Sequence, residues 1–531
     1  MTSASEGSSR RVRRKKRERR VTTRIKLSVG RSALAGTRTP TLGRVSERRP
    51  RLVPSEIHAD LAASLTALRQ TLEVPERFDP RVEAEAAAAA RDVVTDPASA
   101  GLADLRGIEF LTIDPAGSTD LDQALHLERT STGAVLHYAI ADVPAYVHPG
   151  GRVDAEARRR GQTLYAPDGR VPLHPIVLSE DAASLLPDRD RRAFVWRFDL
   201  DDGARPLRTT LTPAVVRSRH QWDYASAQRA IDDGTAPGTL AAMSWFGGER
   251  GERERERGGA SLNLPESRIV AEDGGYRIER SEGVPLEDWN AQVSLLTGMA
   301  AARIMIDGGI GILRTMPPAA AEDVAEFRAR TVALGIPWEQ GVTYGDYLRR
   351  LDRSGAARAV KEYAASLFRG AGYVAFDGDV PAQTTQAAIG APYAHTTAPL
   401  RRLVDRWVLV ICEALSTGAP VPAWARDSLA DLPGLMSASA QRSAQLTSGA
   451  LDRVEAALLH GHEGELFDAT VLAHRGDGAR VQLGHPAVDA KVPGLDAVPG
   501  SSARLRLMRA DVSEGTIEFE PVRPGESVVH A

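Results

Sequence analysis

Three aspartates with a spacing suited to metal chemistry follow an apolar segment in the first quarter of the chain. Asp114, Asp120 and Asp122 come directly after Glu109–Ile113, and a proline and a glycine between the first two favour a turn. Carboxylates brought together repel each other unless a cation neutralises them, and Mg²⁺ prefers oxygen ligands. The spacing therefore predicts a Mg²⁺ site, with Mn²⁺ as the alternative, although solvated turns and calcium-binding loops carry similar patterns.

A second charged group lies about 280 residues further along the chain. The segment Tyr393–Arg406 contains a proline and then Arg401 and Arg402, which we place in the first turn of a helix. Arg401 precedes Asp405 by four residues, a helical spacing that favours an ion pair. Because the helix dipole disfavours cations at this end, two arginines here indicate a bound anion such as phosphate, or a structural ion pair.

The elements that must position these residues are a mixture of strands and helices. The segment Ala134–Ile140 reads as a buried strand that would frame the aspartate loop together with Glu109–Ile113. After Gly464 the pattern changes to short alternating strands typical of a small OB-type β-barrel. Further strands are predicted near Phe194–Leu200 and Ala214–Arg217, and helices over 291–315, 320–375 and Leu400–Leu415.

Composition excludes several classes of protein. The chain has 531 residues, a net charge of −3 and one cysteine, Cys412, which lies on an apolar helical pattern and is expected in the core. A lone cysteine rules out an internal disulfide or a zinc ribbon and is typical of a reducing, cytoplasmic setting. No run of apolar residues is long enough to predict a membrane span.

Charge is distributed unevenly along the chain. Residues 1–51 hold 17 Lys and Arg against three Glu, and they lack apolar periodicity, so we predict a disordered basic arm. The remainder is acidic, which predicts that any nucleic acid would be bound through the arm or a local basic site. The charge run Glu249–Arg257 is expected to be a solvated helix face or linker.

The motifs resemble those of the RNase II/RNB family of exoribonucleases. The segment Thr112–Ala124 is similar to the family's aspartate loop, and Thr396–Arg402 to its downstream arginine segment. Ile140–Val143 and Gly161–Asp168 extend the resemblance.

The fold that the resemblance implies is α+β and multi-domain: a mixed sheet with surrounding helices, followed by the barrel. The expected divisions are a basic arm (1–51), a helical preface without clear cold-shock domains (52–103), a catalytic domain (104–418), a helical connector (419–462) and the barrel (463–523).

The resemblance implies a hydrolytic 3′→5′ exoribonuclease that degrades single-stranded RNA to nucleoside 5′-monophosphates with Mg²⁺. The residues that match the family's metal ligands are Asp114, Asp120 and Asp122. Asp122 and Arg401 match catalytic positions, and Arg401 and Arg402 match RNA contacts. Tyr165 matches the aromatic residue that stacks on a terminal base.

One position departs from the family pattern. The fourth aspartate of the loop is replaced by Gln123, which can offer a carbonyl oxygen but no charge. Gln123 is therefore a catalytic candidate whose identity leaves three hypotheses open. The chain is an active exoribonuclease, a catalytically impaired RNB-fold RNA-binding protein, or an unrelated Mg²⁺ hydrolase of small phosphates.

Overall fold

The structure, a computed structural model, describes residues 56–260, 266–272, 275–281, 283–352, 355–365, 367, 369–486 and 488–522. The expected basic arm, 1–51, lies outside the described residues. The helices in chain order are α1 (Glu56–Thr71), α2 (Pro80–Asp92), α3 (Pro97–Ala100), α4 (Arg152–Arg160), α5 (Tyr224–Asp232), α6 (Gly238–Glu256), α7 (Pro285–Gly308), α8 (Ala321–Ala333), α9 (Tyr344–Arg350), α10 (Gly355–Ala365), α11 (Leu403–Thr417), α12 (Ala423–Asp427) and α13 (Leu432–Leu459).

The strands follow a mixed order between these helices. In chain order they are β1 (Ala103–Asp104), β2 (Phe110–Asp114), β3 (Gln123–Thr130), β4 (Gly133–Ala141), β5 (Leu164–Ala166), β6 (Gly169–Val171), β7 (Asp190–Asp201), β8 (Pro206–Asp223), β9 (Glu266–Glu272), β10 (Gly275–Ser281), β11 (Ile310–Thr315), β12 (Gly372–Asp377), β13 (Thr385–Gln386), β14 (Ala391–Pro392), β15 (Leu466–Arg475), β16 (Gly478–Leu483), β17 (Asp489–Pro493), β18 (Ser502–Asp511) and β19 (Thr516–Pro521).

A six-stranded mixed sheet supports the aspartate loop. Its order is β1-β8-β2-β3-β4-β7, and the long strand β8 also pairs with β7, so the strand pairings form a closed ring. β2 runs parallel to β8 and antiparallel to β3, with Asp114 opposite Asp223. The loop between β2 and β3 therefore leaves the sheet at a fixed edge.

Helices α7 and α11 pack in the main hydrophobic core beside this sheet. α11 is buried over most of its length because Trp407, Val408 and Ile411 are almost completely inaccessible to solvent. Leu296 of α7 and Trp196 of β7 belong to the same core. Burial of this large apolar surface holds the segment before α11 against the sheet.

The C-terminal strands form a five-stranded antiparallel sheet in the order β17-β16-β15-β18-β19. The sheet is nearly closed and has its own core, which confirms the expected α+β fold with a terminal OB-type barrel. Phe467 and Phe519 are both buried in this core. Their rings meet edge to face at 5.9 Å because both side chains point into the barrel.

Three other expectations need correction. The segment 320–375 is not helical to its end, because residues 372–377 form strand β12. Residues 310–315 form strand β11 rather than the end of a helix, because Gly309 takes a left-handed conformation (φ 69°) that ends α7. The charged run 249–257 lies mostly on α6, where Arg250 and Glu254 are buried rather than solvated. Glu254 accepts a hydrogen bond from Gln292 on α7, so these charges help to pack two helices together.

Cys412 is fully buried on α11, as expected. Over the part of the chain that the structure describes, no helix combines the length and the hydropathy needed to cross a membrane.

Candidate active site

The aspartate loop begins at the end of β2 and returns at the start of β3. Gly117 adopts a φ of 80°, a conformation that a side chain would strain, and Ser118 closes the turn by donating to the Pro115 carbonyl. Beyond the turn, Leu121 is completely buried, and its N–H donates to the Ser184 hydroxyl at 2.9 Å. The loop thus has a fixed shape between two anchored ends.

The arginine segment meets the loop through a backbone contact. The Leu400 N–H donates to Asp122 Oδ1 at 2.7 Å, although the two residues are 278 positions apart. Arg401 follows directly, and its Nε lies 3.4 Å from Asp122 Oδ2. The Asp122 side chain is buried, whereas Arg401 remains about half exposed. Asp122 therefore orients a guanidinium that can still reach a ligand from solvent.

The sequence-based placement of the two arginines in the first helical turn is wrong. α11 begins at Leu403, and Arg402 is its N-cap residue. Asp405 pairs with Arg402 (Nε to Oδ2, 2.5 Å) instead of the expected Arg401, and it also accepts from the Ala398 N–H at 2.7 Å. The turn before the helix brings Arg402 next to Asp405 and directs Arg401 to the aspartate loop. Arg402, predicted to contact RNA, is thus held in a largely buried ion pair.

A two-stranded hairpin, β5 and β6, carries Tyr165 to the site. The segment before it pairs with the arginine segment, because the Thr163 N–H donates to the Arg401 carbonyl at 2.9 Å. Half of the Tyr165 surface is exposed. Partial burial raises the pKa of its hydroxyl to about 12, Asp120 adds to the shift and Arg401 opposes it, so the phenol lies within electrostatic reach of both.

Asp120 lies under the same hairpin and forms an ion pair with Arg170 of β6. The other terminal nitrogen of Arg170 contacts Glu180 and the Thr119 hydroxyl, each at 2.8 Å. The sequence analysis did not identify Arg170 or Glu180. The only signal available was the position of Arg170 shortly after Tyr165 in a turn-rich segment, which a hairpin would bring onto the same face.

Burial changes the acidity of the other two aspartates. Desolvation raises the pKa of Asp122 to about 8, opposed by Arg401 and the Leu400 N–H and reinforced by Asp405 and Asp120. Desolvation also raises the pKa of Asp114 to about 7, with Arg401 opposing and Asp120 adding to the shift. Asp120 therefore lies within electrostatic reach of both Asp114 and Asp122.

The arrangement differs from the expected cluster of three metal-binding carboxylates. In the described ranges, no three His, Cys, Asp or Glu side chains are close enough to hold a metal ion. Arg170 and Arg401 supply the positive charge that these carboxylates need, which explains the difference. One oxygen of Asp114, Oδ2, is buried without a hydrogen-bond partner, and the donors are the hard oxygens that Mg²⁺ or Mn²⁺ prefers. The oxygen donors of Asp114, Asp120 and Asp122 are thus of the kind that would hold a divalent cation.

Both polar atoms of the Gln123 side-chain amide form hydrogen bonds within the protein. Its Nε2 donates to the Thr397 carbonyl at 2.6 Å, and its Oε1 accepts from the Tyr138 hydroxyl at 2.6 Å. Tyr138 lies 2.9 Å from the Ser294 hydroxyl of α7. Gln123 therefore links the start of β3, strand β4 and the arginine segment, a packing role that the spacing of the loop did not reveal.

Comparison with known proteins assigns two regions of the chain. The family model described as "RNB domain" matches residues 102–417, and the model described as "RNase II-type exonuclease C-terminal S1 domain" matches residues 465–522. Ribonuclease R of Escherichia coli is 27% identical over 383 residues, which cover 69% of this chain and 46% of that protein. This chain spans less than half the length of the curated relatives it matches.

Two solved structures show the same architecture. Mycoplasma genitalium RNase R in complex with ribose-methylated single-stranded RNA superimposes with a TM-score of 0.78 at 19% identity, covering 87% of this chain and 78% of the other. Yeast Ssd1, described as a pseudonuclease, gives a TM-score of 0.67 at 16% identity, covering 83% of this chain and 56% of the other. At these identities the likeness establishes the fold.

Proposed function

Because this chain belongs to the RNB family, whose domain spans most of its described residues, we propose that it is a 3′→5′ exoribonuclease that degrades single-stranded RNA to nucleoside 5′-monophosphates in the presence of Mg²⁺ or Mn²⁺. The observation that carries the proposal is the contact between Arg401 and Asp122. It joins the two motifs and leaves a half-exposed guanidinium beside an acidic loop and an exposed tyrosine.

In this proposal the residues have separate roles. Tyr165 offers an exposed ring on which any terminal base can stack, as unselective degradation requires. Arg401, held by Asp122, binds the phosphoryl oxygens of the bond to be cleaved and stabilises their charge as it develops. Asp114, Asp120 and Asp122 are the residues that would hold the divalent cation. When bound, the cation supplies Lewis acidity and lowers the pKa of a water.

The test is degradation of a 5′-labelled single-stranded RNA, with chromatographic detection of monophosphates, in Mg²⁺ and in Mn²⁺. We expect stepwise shortening from the 3′ end and at least about a hundredfold slower cleavage by Arg401→Gln. Arg426→Gln is the matched control, since Arg426 is equally exposed but pairs with Asp377 away from the site. The proposal fails if the wild-type protein releases no monophosphate with either cation, or if both variants cleave at the wild-type rate.

A second candidate function is RNA binding without catalysis, and Gln123 is the observation that favours it. The amide removes one negative charge from the acidic loop and is fixed by Thr397 and Tyr138. An inert wild-type protein that still retains single-stranded RNA in a binding assay would support this candidate. Cleavage gained by Gln123→Asp would assign the loss to the missing carboxylate. Cleavage of a mononucleotide or another small phosphate, with none of RNA, would instead support the hydrolase of small phosphates.

A further inference from the structure

Arg170 occupies the position of a cation in the acidic site. Its guanidinium donates to the carboxylates of Asp120 and Glu180 and forms no other ion pair in the described part of the molecule. The side chains of Arg170 and Asp120 retain only 27% and 13% of their exposure, so the pair is partly shielded from water. The attraction between the two charges is screened less than on the surface, and Oδ1 of Asp120 is engaged by the guanidinium while the pair persists.

The same guanidinium lies next to the expected path of RNA. Tyr165 and Arg170 are direct cross-strand partners in the β5–β6 hairpin, so their side chains project from the same face. A base stacked on Tyr165 would place its backbone phosphate close to Arg170. Phosphate can engage a guanidinium through two hydrogen bonds and therefore competes with a carboxylate.

The hairpin is held in place independently of Asp120. At its tip, Asp168 accepts hydrogen bonds from Arg69 of α1 at 2.9 Å, and at its base the Thr163 N–H donates to the Arg401 carbonyl. The remaining contacts of Arg170 with Glu180 and Thr119 also lie beside the loop. The guanidinium can therefore leave Asp120 without movement of the hairpin backbone.

We propose that Arg170 is a positioning residue that makes divalent-cation binding depend on RNA. Without RNA it neutralises Asp120 and disfavours the cation; an incoming phosphate draws the guanidinium away, and Asp120 becomes a metal ligand. This inference rests on the proposed function, because it requires RNA to reach Tyr165. The coupling is reciprocal, so the cation strengthens RNA binding by the same factor.

The experiment measures Mn²⁺ binding by electron paramagnetic resonance of the free ion, without and with a short 2′-O-methylated single-stranded RNA. Manganese bound by the RNA alone is measured separately and subtracted. We expect the RNA to tighten Mn²⁺ binding by wild-type protein about tenfold. Arg170→Gln should bind Mn²⁺ about tenfold more tightly than wild type without RNA, and RNA should then add less than about threefold.

Two further variants keep the test specific. Arg69→Gln removes a contact at the hairpin tip but leaves the Asp120 pair intact, so its Mn²⁺ affinity should equal that of wild type. Arg170→Lys retains the charge and should restore most of the RNA dependence. The proposal is overturned if Arg170→Gln, shown by circular dichroism to be folded, binds Mn²⁺ no more tightly than wild type without RNA. Failure of the RNA to bind any variant would contradict the proposed function, while the RNA-free comparison would still test Arg170.

Discussion

The amide of Gln123 joins three elements that an aspartate could not join in the same way. It donates to the Thr397 carbonyl and accepts from the Tyr138 hydroxyl, whereas an ionised carboxylate can only accept. The substitution relative to the family motif therefore exchanges a charge for a hydrogen-bonded link. The residue types identified where the loop lies, but the partners of Gln123 come from β4 and from a segment 274 residues away.

Gln123→Asp should destabilise the folded protein. The shorter carboxylate cannot donate to Thr397, and the unpaired carbonyl costs about 1–3 kcal/mol in the free energy of unfolding. Urea unfolding followed by fluorescence measures the loss, and Gln383→Asp, at a largely exposed site, is the control. Equal unfolding midpoints for Gln123→Asp and wild type would show that the link contributes nothing.

His174 connects the site to the pH dependence of stability. It is buried, with Nε2 at 3.3 Å from the Pro399 carbonyl, and burial, assisted by Arg406, lowers its pKa to about 3. Below about pH 6.5, His174 binds a proton in the unfolded chain but stays neutral in the folded protein. The free energy of unfolding therefore falls as the pH drops below about 6.5.

Between pH 7.5 and pH 5, His174 should cost the wild-type protein about 2 kcal/mol of unfolding free energy. His174→Gln removes this contribution, so the decline in stability with falling pH should be shallower for the variant. The exposed substitution His220→Gln serves as the control in the same urea titrations. Parallel pH profiles of His174→Gln and wild type would contradict this assignment.

At the scale of elements, the long helix α13 connects the RNB domain to the terminal barrel. Its residue Glu455 accepts a hydrogen bond from the Asp489 N–H of β17 at 3.1 Å. Burial raises the pKa of Glu455 to about 8, which Asp489 and Asp452 reinforce and the hydrogen bond and Arg480 oppose. The carboxyl group is therefore protonated in the folded protein at neutral pH.

Because this pKa is raised, the contribution of Glu455 to stability is present below pH 4.5 and is lost as the pH rises to 8. Glu455→Gln keeps an acceptor for the Asp489 N–H and avoids the buried charge, so it should be about 1–3 kcal/mol more stable than wild type at pH 8.5. Little difference is expected at pH 4.5. Thermal unfolding at both pH values provides the measurement, with the exposed Glu518→Gln as control. A variant less stable than wild type at pH 8.5 would refute the argument.

The helices and strands could be predicted where the hydrophobic pattern of the segment itself determines its structure. Alternating residues around Val481 and Leu505 identified the barrel strands, and the apolar positions near Trp407 identified α11. The local pattern did not predict secondary structure or burial where these depend on contacts with distant parts of the chain. Residues 310–315 are a strand because they pair with β12, and Arg250 and Glu254 are buried because α7 covers α6. Asp405 pairs with Arg402 rather than with Arg401 because the turn before α11 sets the directions of both arginine side chains. Helical spacing does not apply to residues in this turn.

At the scale of the whole molecule, α1 packs on α13 and the barrel. Leu61 and Leu65 share a core with Leu446 and Val454, and the Ser64 hydroxyl donates to the Val512 carbonyl at 2.8 Å. Through Arg69 the same helix reaches the hairpin that carries Tyr165. The segment expected to be a helical preface thus connects the barrel to the candidate site.

The uneven charge of the molecule gives a prediction for the basic arm. If its 17 Lys and Arg contact RNA phosphates, deletion of residues 1–51 should weaken RNA binding at low salt and flatten the slope of log K against log salt concentration. Fluorescence anisotropy with a single-stranded RNA between 50 and about 200 mM salt measures both effects. A deletion variant that binds with the same slope as the full chain would show that the acidic body holds RNA through its local arginines alone.

The hydrogen bond between the Leu400 N–H and Asp122 has a consequence during protein synthesis. A chain that has left the ribosome only as far as β14 contains every aspartate of the loop but lacks Arg401. The proposed ribonuclease cannot assemble its site until about three quarters of the chain exists, although it is made beside the messenger RNA that encodes it. The separation of the two motifs by 278 positions thus makes formation of the site a late event in translation.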